Sequence, residues 1–138
     1  MRGDRLSVVA TALLMVGIVL GTSVPSLADV GDISVGGVWV CRITQPALGL
    51  TAEERAVQVN KQITEALSTP KFRRGATISV RSQGPSARIM IDTLVIVTVT
   101  PEDAKGTTVA PMELARQWAQ RLATGLSKAL PDAEFHTF

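Results

Sequence analysis

Between Leu50 and Pro70 the apolar residues Ala56, Val59, Ile63, Ala66 and Leu67 recur at helical spacing. That period predicts an amphipathic helix with one buried stripe. Thr51 and Glu54 stand at capping-box spacing at its start, and Pro70 ends it. Arg55, Gln58, Lys61, Gln62 and Glu65 fall to the solvent side. A second stripe, Leu114, Ala115, Trp118, Leu122, Leu126 and Leu130, predicts a helix from Pro111 to Leu130, stopped by Pro131. Gly125 inside it costs about 1 kcal/mol relative to alanine, which marks a close contact. Between the two, Thr100-Pro101-Glu102-Asp103 combines an N-cap, a first-turn proline and two acids, a short helical turn that Gly106 closes.

Elsewhere the period is two. Ile33 to Val35 and Val38 to Ile43 flank Gly36-Gly37, a dipeptide suited to a tight hairpin turn. Alternation places Trp39, Cys41 and Ile43 on one face of the second strand and Val38, Val40 and Arg42 on the other. Ala76 to Arg81 and Ala87 to Ile91 alternate as half-buried strands around the turn Ser82 to Ser86. Asp92-Thr93 makes a tight reversal into Leu94 to Thr100, a run apolar at nearly every position. Such a run is expected to be central and covered on both faces. Two helices on one face cannot do that, so either the first hairpin or a partner covers the second face.

The predicted order is β-β-α-β-β-β-α. It implies an α+β fold, a two-layer sandwich with a mainly antiparallel sheet and two helices packed on one face. The chain has 138 residues, a length that suits one domain. Residues 1–28 read as a secretory signal: Arg2 and Arg5 precede an apolar core, Leu6 to Gly21, and Ser26-Leu27-Ala28 suits cleavage. The core is short for a span of about 20 residues, with an uncleaved membrane anchor as the alternative. The remaining segments are a lead-in over 29–32, the domain over 33–130 and a loose tail over 131–138. Export to the periplasm or the extracellular space follows from the leader.

Removing residues 1–28 takes out Arg2, Arg5 and Asp4, leaving 12 basic and 11 acidic side chains. The near balance withdraws the suggestion of nucleic acid that the basic whole chain would make. Cys41 is the only cysteine, so no internal disulfide forms. It is either a small buried apolar residue or an intermolecular thiol in an oxidising compartment.

Groups that could carry chemistry mostly have structural roles at these positions. Glu53 and Glu54, like Glu102 and Asp103, lie in first helical turns, where acids complement the dipole. His136 is the only histidine, and a metal site needs several ligands held rigidly. Ser68-Thr69-Pro70-Lys71 matches the S-x-x-K spacing of serine–lysine enzymes, but at a helix end and without the companion motifs. No catalytic residue, cofactor or metal is expected. Lys71, Arg73, Arg74, Arg81 and Arg88 stand in a stretch with no acid between Glu65 and Asp92. They are the candidate binding residues, a basic edge for anionic lipid head groups or wall polymers. No aromatic side chains interleave with them to stack bases.

Three places resemble a family: Gly36-Gly37 before Val38-Trp39-Val40; Leu50-Thr51-Ala52-Glu53-Glu54-Arg55-Ala56; and Val97-Thr98-Val99-Thr100-Pro101-Glu102-Asp103-Ala104 followed by Leu114-Ala115 and Trp118. Together they resemble the small extracytoplasmic domain ahead of the membrane helices in some small-conductance-type mechanosensitive channel proteins. No membrane-spanning stretch follows Leu130 here, so the resemblance implies a free-standing envelope domain in an accessory role, without the pore. The expected function is therefore a non-enzymatic envelope module that binds a protein, a second copy of itself included, or an envelope component. The alternative is a receptor for a small ligand, anionic polymer or lipid head group at the basic region 71–88.

Overall fold

The computed structural model describes residues 31–138. The leader over 1–28 lies outside the described residues. In chain order the elements are β1 (Asp32–Val35), β2 (Val38–Arg42), α1 (Ala52–Ser68), a 3-10 turn (Pro70–Arg74), β3 (Gly75–Gln83), β4 (Ser86–Ile91), β5 (Leu94–Val99), α2 (Pro101–Ala104), α3 (Pro111–Ala129) and β6 (Glu134–Thr137). The architecture is the expected α+β one, with a mainly antiparallel four-stranded sheet in the order β5-β4-β3-β6 and a separate β1-β2 hairpin.

Local chemistry accounts for the element ends. The Thr51 hydroxyl accepts from Glu54 N at 3.1 Å and Glu54 Oε1 accepts from Thr51 N at 3.0 Å, closing the capping box. These bonds to the ionised form hold the Glu54 carboxyl below the usual range. Thr100 and Asp103 close a second box at the start of α2. Gly36 and Gly37 both take positive φ, 57° and 80°, as a two-residue turn matched to strand twist requires.

The inward faces of β3 and β4 supply Ala76, Ile78, Ala87, Ile89 and Ile91 to the core, against Leu114, Trp118, Leu122 and Leu126 of α3. Ile78, Ile89 and Ile91 are fully buried, each contributing about 1.5–3 kcal/mol relative to exposure. α1 buries Ala56, Val59, Ile63 and Ala66 and runs beside β5. The hairpin packs on α3 and α1. Its turn meets α3 where both backbones lack side chains: a Cβ on Gly125 would lie 2.6 Å from the Val35 carbonyl oxygen. That is the close contact the mid-helix glycine predicts.

Four expectations change. Among the described residues β5 is an edge strand, with β4 as its only strand neighbour. A register shift between Ile89 and Met90 leaves Ile96 as the extra residue, so Ile96 and Val97 are buried in succession. Continuous apolarity here reflects a bulge at an edge flanked by α1, not a central strand. The tail expected to be loose contains β6, which pairs in parallel with β3 from Gly75↔Glu134 to Ile78↔Thr137 and rests Phe135 against the core. Four residues with one aromatic carry no strand period, and only the return of α3 across the sheet brings them to the β3 edge.

Trp39 is 47% exposed and does not point inward with Cys41. The hairpin register passes from Ile33↔Cys41 to Ser34↔Trp39, so Val40 is the extra residue and both Val40 and Cys41 are buried. Burial pushes the Cys41 thiol up to about 12, which keeps it protonated and unreactive at neutral pH. Finally, Arg55 is buried rather than on the solvent side of α1.

Candidate functional site

The structure divides the basic stretch in two. Lys71, Arg73 and Arg74 lie on the 3-10 turn before β3, Lys71 with its ammonium 5.4 Å from the Phe72 ring centroid. Arg73 borders a depression shared with Leu67, Leu130, Pro131 and Asp132. Arg81 and Arg88 lie further along, about 20 Å from Gly75 at the rise of an extended strand. There they stand directly opposite each other on β3 and β4, a like-charged pair of the kind that disfavours pairing. Among the described residues neither forms an ion pair. His136 is exposed on β6, its Nε2 3.8 Å from the Glu134 carboxylate.

Arg55 is the buried polar centre of the domain. Its Nη1 and Nη2 donate to Asp103 Oδ1 and Oδ2 at 2.9 and 2.8 Å, a bidentate pair with side chains 5% and 3% exposed. Nη1 also donates to the Gln45 carbonyl and Nη2 to the Thr98 carbonyl at 3.0 Å. Asp103 Oδ2 accepts from Thr100 N and Thr100 Oγ1. One guanidinium therefore ties α1, the loop before it, the end of β5 and α2 together. With its hydrogen bonds directed to protein partners, this pair has a positional role. The i, i+4 pattern of α1 misassigned it because a charged residue at a stripe boundary reads as solvated unless its partner, 48 positions away, is known.

Beside this network, α1 and β5 enclose a groove of about 380 Å³. Gln58, Val59 and Gln62 form one wall and Val95 to Thr98 the other, with Leu48 and Leu50 at its mouth. Ala47 and Leu50 exchange main-chain hydrogen bonds of 3.0 and 2.9 Å across a tight turn. Its central residues, Leu48 and Gly49, take φ of 56° and 78°. The left-handed region costs a leucine roughly 1–2 kcal/mol, and the Leu48 side chain is 73% exposed, so burial within this fold does not offset that cost. Beyond Leu50, Val57 is 66% exposed and stands among the charged side chains Glu53, Glu54, Lys61 and Glu65.

Sequence pattern missed the groove, since one wall is an edge strand read as central and the mouth is a loop read only as a connector. The available signal was Ala47-Leu48-Gly49-Leu50, two leucines in a loop where polar residues are usual. Among the described residues no helix is long and apolar enough to cross a membrane. No curated protein and no solved structure matches the chain. A family model does match, over residues 32–129, from the first residue of β1 to the last of α3. The chain therefore belongs to the family described as Domain of unknown function (DUF8459).

Proposed function

We propose that the protein is a non-enzymatic, exported envelope module that holds an extended segment of a partner protein along β5. The observation carrying this is the α1–β5 groove: an uncharged edge strand, LVIVTV, lies beside a helix with a strained, exposed leucine at the mouth. An edge strand offers unpaired main-chain groups to an incoming strand, and adjacent pockets select its alternate side chains. Arg55 takes one carbonyl, that of Thr98, which confines the free edge to the Leu94–Ile96 half. The leader and the resemblance to an envelope domain support the location.

A photo-crosslinking residue at Leu48 is expected to give a covalent polypeptide adduct in the native envelope. Val95→Lys, a charge on the edge, should suppress it. The same residue at Arg116, exposed on α3, is the background control. Adduct formation at Leu48 no higher than at Arg116 would sink the proposal. Twice the chain mass by light scattering would identify the partner as a second copy.

The facing pair Arg81 and Arg88 favours a second reading, a receptor for an anionic polymer or lipid head group. Retention on vesicles containing phosphatidylglycerol should then fall with added salt and in Arg81→Ala/Arg88→Ala. Retention unchanged by both would rule this reading out.

A further inference from the structure

We infer that a depression between β2 and α3 binds a small ligand through one carboxylate, received by Arg121. The depression measures about 340 Å³ and is lined by Val38, Gln117, Gln120, Arg121 and Thr124. That volume is at the lower end of the range for small-ligand sites, about 300–1,000 Å³. Among the described residues it shares no lining with the β5 groove and includes neither Arg81 nor Arg88. Gln117, Gln120, Arg121 and Thr124 stand at i, i+3, i+4 and i+7, so one face of α3 supplies the polar wall. Val38, the first residue of β2, supplies the apolar one.

Among the described residues that line it, Arg121 alone is charged, and residues behind the wall fix its place. The guanidinium stacks on the Trp39 ring, 5.1 Å from the ring centroid, and Nη1 donates to the Val40 carbonyl at 3.3 Å. Trp39 is itself held, since its Nε1–H donates to Asp32 Oδ1 at 3.3 Å. The indole therefore backs the arginine and is not part of the lining. A side chain ordered in advance loses little further rotamer freedom when a ligand binds.

What Arg121 lacks identifies the ligand. Arg42 and Arg55 each give two N–H groups to a carboxylate, whereas among the described residues Arg121 has no carboxylate partner. Its Nε and Nη2 make no hydrogen bond there. That is the edge with which Arg42 holds Asp32, at 2.6 and 2.8 Å. Two parallel N–H groups on such an edge match a planar carboxylate. One cation balances one negative charge, which favours a carboxylate over a doubly charged phosphate. The Gln117 and Gln120 carboxamides make no side-chain hydrogen bond among the described residues. Each is both donor and acceptor, so the pair suits hydroxyl or amide groups beside the carboxylate. The Thr124 hydroxyl gives its proton to the Gln120 main-chain oxygen at 3.0 Å and keeps only its acceptor side.

NMR titration at constant ionic strength with galacturonate and with N-acetylalanine tests the site. Galactose and N-acetylalanine amide are the neutral counterparts, and inorganic phosphate is the competing anion. Saturable shifts of the Arg121 Nε–H and of the Gln117 and Gln120 side-chain amides are expected with at least one acid, and none with its neutral counterpart. Which acid binds more tightly tells whether hydroxyl or amide groups accompany the carboxylate. Arg121→Lys keeps the charge but not the fork and should weaken binding about tenfold. Gln120→Ala should weaken it about fivefold, one hydrogen bond's worth. Gln120 is exposed on α3, so its variant tests the site independently of any packing role of Arg121. Arg81→Ala/Arg88→Ala should leave the affinity unchanged, which separates the site from general attraction of anions to the surface. No saturable shift with either acid up to about 10 mM overturns the proposal. So does a neutral counterpart that binds as well as its acid, phosphate that binds more tightly than both acids, or an affinity unchanged in Arg121→Lys and Gln120→Ala.

Discussion

Asp103→Ala is expected to lower folding stability by about 3–5 kcal/mol, the range for removing one partner of a buried ion pair. The loss is large because the substitution strands a guanidinium that is 5% exposed and also removes the carboxylate that receives Thr100 N–H at the start of α2. Domains of this size are stable by about 5–15 kcal/mol, so the midpoint of thermal unfolding should fall by more than about 10 °C. Arg55→Met should do comparable damage, since the Asp103 carboxylate then remains buried with only its cap donors. The double variant Arg55→Met/Asp103→Ala should cost less than the sum, with a coupling of about 0.5–3 kcal/mol. Chemical denaturation of the four proteins measures the cycle. An Asp103→Ala midpoint within experimental error of the parent would refute the assignment of Arg55 as the tie between α1, β5 and α2.

Gly125→Ala is expected to destabilise the protein by up to roughly 2 kcal/mol, the net of two opposed effects. In an isolated helix alanine is better than glycine by about 1 kcal/mol. In this fold the added Cβ would stand 2.6 Å from the Val35 carbonyl oxygen and 3.0 Å from the Val35 Cβ. Relieving that overlap means moving the hairpin away from α3, and overpacking of this kind costs about 1–3 kcal/mol. The approach is reciprocal, since a Cβ on Gly36 would lie 2.4 Å from the Gly125 carbonyl oxygen. Gly36 also has φ of 57°, so it has two reasons to be glycine, whereas Gly125 has only the contact. Gly125→Val should be worse than Gly125→Ala, adding a β-branched side chain to the same gap. A rise in the melting temperature of Gly125→Ala would show that the hairpin yields freely and that this contact does not position it.

The departures from strand period in β5 and β2 share an origin. In each, a strand register slips by one residue, at Ile96 in β5 and at Val40 in β2. The consequences differ. At β5 the slip buries Ile96 and Val97 in succession and leaves Val95 on the groove wall; at β2 it buries Val40 and Cys41 and sends Trp39 outward. Period-two pattern cannot reveal this, because the unpaired residue is defined only by the strand opposite. The same limit explains why a seven-residue apolar run reads as a central strand when it is an edge.

What the amino-acid order determined alone is everything decided within about one turn of helix or one hairpin. Thr51 and Glu54 cap α1, Thr100 and Asp103 cap α2, Gly36-Gly37 turns the first hairpin, and the stripes of α1 and α3 name their buried faces. These are short-range effects of propensity, capping and burial period, and they suffice for the fold class. Only the tertiary structure decided that Arg55 turns inward to Asp103, that Lys71–Arg74 part from Arg81 and Arg88, and that Glu134–Thr137 joins β3. Each of those outcomes depends on a partner distant in sequence, and an ion pair, a strand edge or a groove has no energy until both of its sides are in place.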